Sequence, residues 1–160
     1  MSELFIIGIF VIYVIYLGTI KKLLKEISDE NRLISPNSAY RCLIPYYNIY
    51  WQFKMISATT KSFKKEISKR KLIVQETDRY YAIGVLYASM INVGFLISLF
   101  SKNYTNTLLA SIVALSIIIG MILWILFWVS SNKYLKILQE NPYVEPTTFV
   151  NPMNIDLNKY

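Results

Sequence analysis

Three stretches without a single charged side chain, residues 4–20, 81–100 and 107–129, decide what this chain can fold into. A helix rises ~1.5 Å per residue, so even the shortest of them reaches about 26 Å, close to the thickness of a bilayer's hydrocarbon layer. Apolar residues gathered in runs of that length suit a bilayer, whereas a water-excluded core is built from short amphipathic patches. The expectation is an all-α integral membrane protein with three transmembrane helices. The second and third runs are separated only by residues 101–106 and form a helical hairpin. The first run reads as an uncleaved anchor, because Glu3 precedes it and Lys21, Lys22 and Lys25 follow it, the reverse of a secretory signal.

Orientation follows from where the basic residues lie, since Lys and Arg close to span ends resist translocation. Residues 21–79 carry 13 of the 17 Lys and Arg in the 160-residue chain. The hairpin turn has only Lys102, and Lys133, Lys136 and Lys159 are offset by Glu140, Glu145 and Asp156. This puts the N-terminus outside, residues 21–79 in the cytoplasm, the hairpin turn outside and the C-terminus inside. Trp124, Trp128 and Tyr134 at the inner end of the third run, with Tyr80 and Tyr81 at the start of the second, match the headgroup level that amphipathic rings prefer. Residues 1–140 then form one membrane domain. Residues 141–160, with Pro142, Pro146 and Pro152 and no apolar period, read as a flexible cytoplasmic tail.

Composition removes whole reaction classes. With no His and one Cys the chain cannot build a zinc site, a c-type haem site or an intrachain disulfide, and it has no Cys/His pair for nucleophilic catalysis. Its five glycines are isolated in apolar runs, so no phosphate-cradling loop exists. Neither a metal nor a cofactor is expected.

Residues 40–58 are apolar enough to suggest a fourth span, but Arg41, Asn48, Gln52 and Lys54 interrupt them and Pro45 breaks a helix arriving from before. Crossing here would also put two basic stretches on opposite faces of the membrane. Read instead as a helix opening at Pro45 and running to about residue 70, the segment places Tyr46, Ile49, Phe53, Ile56, Thr60, Phe63 and Ile67 on one stripe. Lys54, Lys61, Lys64, Lys65, Lys69, Arg70 and Lys71 fall largely off it. The expectation is a cytoplasmic interfacial amphipathic helix, its stripe meeting either lipid or the protein's own spans. Tyr46, Tyr47, Tyr50 and Trp51 would hold the corner at headgroup depth, with Asn48 free to bond the opened backbone. Phe53, Lys54, Lys61 and Lys65 complete the expected lipid-contact set.

Two motifs sit in this segment. Ser35-Pro36-Asn37-Ser38-Ala39 and Ile44-Pro45-Tyr46-Tyr47-Asn48-Ile49-Tyr50-Trp51-Gln52-Phe53 resemble the S/T-P-x-x-A and I-P-x-x-N-x-Y-W-x-F signature of small bacterial multi-span membrane proteins. The likeness covers about 20 residues and the order of spans. It implies a membrane fold and a bacterial source, and no reaction; the glycine such proteins often carry after the first proline is replaced by Asn37 and Ser38.

Small residues at four-residue spacing, Gly84, Ala88 and Asn92 in the second run and Ser116 and Gly120 in the third, let helices approach closely, with Asn92 donating across the interface. No span carries an acid or a base, which removes the groups that ion-coupled transport uses. Cys42 reads as a buried thiol rather than an acylation site, and the basic cluster at 61–71 as a topology determinant drawn to anionic lipid rather than to nucleic acid. The functional expectation is a non-enzymatic accessory or scaffolding protein. Its expected partners are membrane lipid and either an unidentified membrane protein or a second copy of itself. The alternatives are an oligomeric pore or lysis-type permeability protein, and a small transporter component.

With Cys42 replaced by Ser and single cysteines placed at Lys25, Lys64, Lys102 and Asn154, membrane-impermeant reagents should label 25, 64 and 154 only from the cytoplasmic side and 102 only from outside. Labelling of 25 and 64 from opposite faces would overturn the three-span order.

Overall fold

The computed structural model describes residues 2–74, 77–100 and 107–143. The hairpin turn at 101–106 and the tail beyond 143 lie outside the described residues. What is described is all-helical: α1 (Ser2–Glu26), a 3-10 helix η1 (Pro36–Leu43), α2 (Tyr47–Lys69), α3 (Thr77–Phe100) and α4 (Thr107–Glu140). Three of these, α1, α3 and α4, are long and apolar enough to cross a membrane. Their outward faces remain apolar, with Leu4, Ile7, Phe10 and Ile15 exposed on α1 and Leu115, Ile118, Ile122 and Val129 on α4. A surface of that kind belongs in lipid.

The helices extend past the charge-free runs for local reasons. Glu3 in the first turn and Lys25 in the last complement the dipole of α1. α4 continues 11 residues beyond Val129 because Ser131, Tyr134, Leu135 and Leu138 recur at three- and four-residue steps and are all buried.

Side-chain pairs fix how the helices run. Along α3 and α4, Tyr80 bonds Ser131, Gly84 faces Phe127, Gly120 faces Ile91 and Gly94 faces Ser116, an antiparallel pair. α1 lies parallel to α4, with Tyr16 against Phe127 and the Trp128 indole donating to Thr19 at 3.0 Å. The core between them is aromatic: Tyr80 stacks on Phe127 at 4.5 Å, Phe63 on Tyr134 at 4.3 Å, and Tyr80 meets Tyr134 edge-on. Buried Tyr16 and Tyr87 pair their hydroxyls at 3.1 Å, so neither is left without a partner in an apolar setting.

α2 stands alongside these spans. It pairs with α3 in antiparallel register from Tyr46 against Phe95, through Gln52 against Asn92 and Ile56 against Gly84, to Lys64 against Asp78. That is 18 residues of helix progress, or roughly 27 Å. α2 is also parallel to α1, since Gln52 meets Tyr13 and Glu66 meets Ser28. Two parallel neighbours need a returning connection, and residues 27–46 supply it. η1 runs back between the two helices, with Tyr40 under Lys21, Cys42 beside Met55 and the Ser38 carbonyl on Trp51. The chain reverses at Pro45 and at Tyr46, whose φ of 60° lies in the left-handed region. A non-glycine residue there is strained by about 1–3 kcal/mol. Pro45 and Tyr46 together make the corner, and the α-helix opens at Tyr47 rather than at Pro45.

At Gly84 side chains of α2 and α4 both close on the backbone of α3. A Cβ at this position would stand 2.7 Å from both Ile56 Cγ2 and Phe127 Cε2, while at Gly8 it would meet nothing within 4 Å. Gly84→Ala is expected to cost about 1–3 kcal/mol through overpacking and to lower the melting temperature of the purified protein. Gly8→Ala should leave it unchanged or raise it by up to ~1 kcal/mol of helix propensity. Thermal unfolding followed by tryptophan fluorescence in detergent checks both.

Candidate functional site

The residues singled out from sequence fall into two groups on α2 and a third on α3 and α4. The stripe expected from periodicity holds in the second half of α2, where Ile56, Thr60, Phe63 and Ile67 are buried. In the first half the buried line is rotated: Trp51, Gln52 and Met55 are inside, Ile49 and Phe53 are half-buried, and Tyr46 is exposed. The reason is η1, which covers the side of α2 that the periodicity left open to solvent or lipid.

Trp51 is the clearest departure. Expected among the lipid contacts, it is 2% exposed, and its indole N–H donates to the Ser38 carbonyl at 2.8 Å. Above it lie two cations, the Arg41 guanidinium carbon and the Lys54 ammonium, each 4.9 Å from the indole ring, while Tyr47 stacks on it at 5.4 Å. An indole face attracts cations through its quadrupole, and two on one ring raise the local positive potential further. Lys54 also lies 6.0 Å from the Tyr50 ring. Arg41, Tyr47, Tyr50, Lys54, Lys61 and Lys65 are all exposed. The result is a basic and aromatic face, set on a buried tryptophan and continuous with a groove of about 510 Å³ lined by Tyr50, Phe53, Lys54, Lys61, Tyr81 and Leu33.

The second group turns inward. Gln52, 3% exposed, donates to the Tyr13 hydroxyl and accepts from Asn92, both at 3.4 Å. Asn92 therefore reaches α2, beyond the α3–α4 interface. Asn48 does not brace the turn: its backbone N–H closes on Ile44, and its side-chain oxygen is buried without a hydrogen-bond partner. Gly84, Ala88, Ser116 and Gly120 are all buried, with Gly84 facing Ile56 and Phe127, Gly120 facing Ile91, and the Ser116 hydroxyl donating to Val113.

At the basic end of the bundle a node absent from the sequence reading joins three helices. Glu66 is fully buried and accepts from the Ser28 amide at 3.2 Å, the Ser28 hydroxyl at 2.7 Å, the Asn31 amide at 2.8 Å and Arg70 at 2.8 Å. Arg70 in turn donates to the carbonyls of Glu26, Leu138 and Asn141, the unsatisfied ends of α1 and α4. Burial alone would push the Glu66 carboxyl up, but the hydrogen bonds from Asn31, Ser28 and Arg70 outweigh it and hold the group below its ordinary value. Its signal in the sequence is a single acid inside a run of seven bases, four residues before an arginine. Among the described residues no cluster of His, Cys, Asp or Glu could hold a metal ion.

Comparison with known proteins adds no identity: no protein-family profile, curated protein or solved structure matches the chain.

Removing one partner of a buried pair strands the other, so Glu66→Ala is expected to destabilise the protein by about 3 kcal/mol. The pH dependence has a fixed sign. A carboxyl held below its ordinary value stabilises the fold above that value, about pH 4, and the contribution is lost as pH falls through the lower native value. The melting temperature should therefore drop below about pH 4 in the native protein, and drop less in Glu66→Gln. Melting curves from pH 3 to 7 in a charge-neutral detergent measure this.

Proposed function

We propose that this chain is a non-enzymatic accessory or scaffolding protein of the inner membrane, seated by α1, α3 and α4, whose η1–α2 segment offers a basic and aromatic face to anionic phospholipid and to a membrane partner. In this reading α2 is not a flat interfacial helix. η1 and α2 enter the membrane from the cytoplasmic side, reach past its middle and return without crossing, which keeps the basic stretches before and after them on one face of the membrane.

The observation that carries the reading is the groove beside Trp51. Lys54 and Lys61 line it with no carboxylate paired to either among the described residues, and Tyr50, Phe53 and Tyr81 supply rings and apolar floor. Unpaired cations over an apolar surface complement a phosphate headgroup and its acyl chain. Lys54 is the deepest of the set, and its stem lies along two rings so that the ammonium can reach the headgroups. The pore alternative receives less support. It needs small-residue faces between subunits, and Gly84, Gly94 and Gly120 already meet side chains of their own chain.

Each lysine near an anionic surface contributes about 1 kcal/mol, so Lys54→Gln combined with Lys61→Gln is expected to weaken retention of phosphatidylglycerol about thirtyfold. Native mass spectrometry of protein released from nanodiscs containing phosphatidylglycerol and phosphatidylcholine reads this directly. Equal retention of both lipids by the native protein would contradict the proposal.

A further inference from the structure

Deeper in the bundle, past the end of α2, lies a second feature that this reading does not use. α2 stops level with Phe95, whereas α1, α3 and α4 continue, so four helices become three. The space left is a cavity of about 210 Å³. Tyr13, Asn48, Gln52, Tyr87 and Trp124 contribute to its wall, and Ile9, Ile91 and Met121 make the rest apolar. Ile9 and Met121 are exposed, so the cavity meets the surface between α1 and α4.

Two atoms of this wall are buried and bonded to nothing in the protein: Asn48 Oδ1, an acceptor, and Trp124 Nε1, a donor. Buried polar atoms left in this state are uncommon and costly. The broad terminal torsion of asparagine lets its amide turn toward the cavity. No charged side chain lines the space, so an ionic ligand would lose its hydration without gaining a counter-charge. A hydroxyl both gives and accepts a hydrogen bond, which is the complement of one orphan acceptor and one orphan donor. An apolar cavity of about 150 Å³ holds a benzene ring, so this one accommodates a chain of about six to eight carbons.

We propose that the cavity is a binding site for a neutral hydroxyl-bearing hydrocarbon, with the hydroxyl between Asn48 and Trp124 and the chain against Ile9, Ile91 and Met121. The site is separate from the basic groove and stands or falls without it.

The test is photolabelling of the purified protein in nanodiscs with a diazirine-bearing octanol, the labelled residues being mapped by mass spectrometry. Label should concentrate on the peptides carrying Ile91 and Met121. It should be displaced by 1-octanol and not by octanoate. Displacement by dioctanoylglycerol as well would identify a membrane lipid as the source of the hydroxyl, and displacement by octanol alone a small free alcohol. Trp124→Phe and Asn48→Leu should each weaken octanol competition about fivefold, the effect of one hydrogen bond, with the melting curve showing that the variant is folded. Label spread evenly over lipid-facing Leu115, Ile118 and Ile122, or competition equal for octanol and octanoate, would overturn the proposal on the native protein alone.

Discussion

A carboxylate sealed from water has to be met by several donors, and the way Glu66 is met organises the basic end of this protein. Ser28 and Asn31 bring the chain just after α1, Arg70 brings the end of α2, and through Arg70 the last carbonyls of α1 and α4 are satisfied. Three helix ends are thereby tied at one point. With that end fixed, the aromatic core sets the rest: Phe63 must lie on Tyr134 and Tyr80 on Phe127, which stands α2 upright against α3 instead of letting it splay. Close approach at Gly84 completes the alignment.

The direction of α2 has a consequence for how the protein meets its surroundings. Because α2 is parallel to α1, the connecting residues must travel back along the bundle, and η1 does so while burying one side of Trp51. The indole is then fixed in place beneath Arg41 and Lys54, and the two charges are presented outward. A basic face built on a rigid aromatic base loses little entropy when it meets an anion. The same hairpin ends short of the far end of the spans, which opens the cavity beside Asn48. One topological choice therefore accounts for both features.

Much of this was legible in the sequence, and the rest was not for identifiable reasons. The three apolar helices are plain because runs free of charge admit no other reading, and they appear at 2–26, 77–100 and 107–140. Periodicity marked the buried half of α2 from Ile56 to Ile67, where the helix has one partner face. It failed before that point, where η1 adds a second partner that no local pattern encodes. Trp51 looked like an interfacial anchor because its composition is the same whether it faces headgroups or Ser38. The polar meeting of Tyr13, Gln52 and Asn92 spans 79 residues of sequence, and spacing cannot reveal it. Glu66 reads in the sequence as one acid among bases, since a count of charges hides a pair that is buried.

The central claim is that α2 stands along the spans, and depth along the membrane normal tests it most directly. Spin labels placed singly at the exposed positions Tyr50, Lys54, Lys61 and Lys65 can be compared by their collision rates with oxygen and with a polar nickel chelate. Depth should increase steadily from 65, at the headgroups, to 50, near the middle of the bilayer, over a helical rise of roughly 22 Å. Equal depth at all four positions would mean that the helix lies flat on the surface and would contradict it.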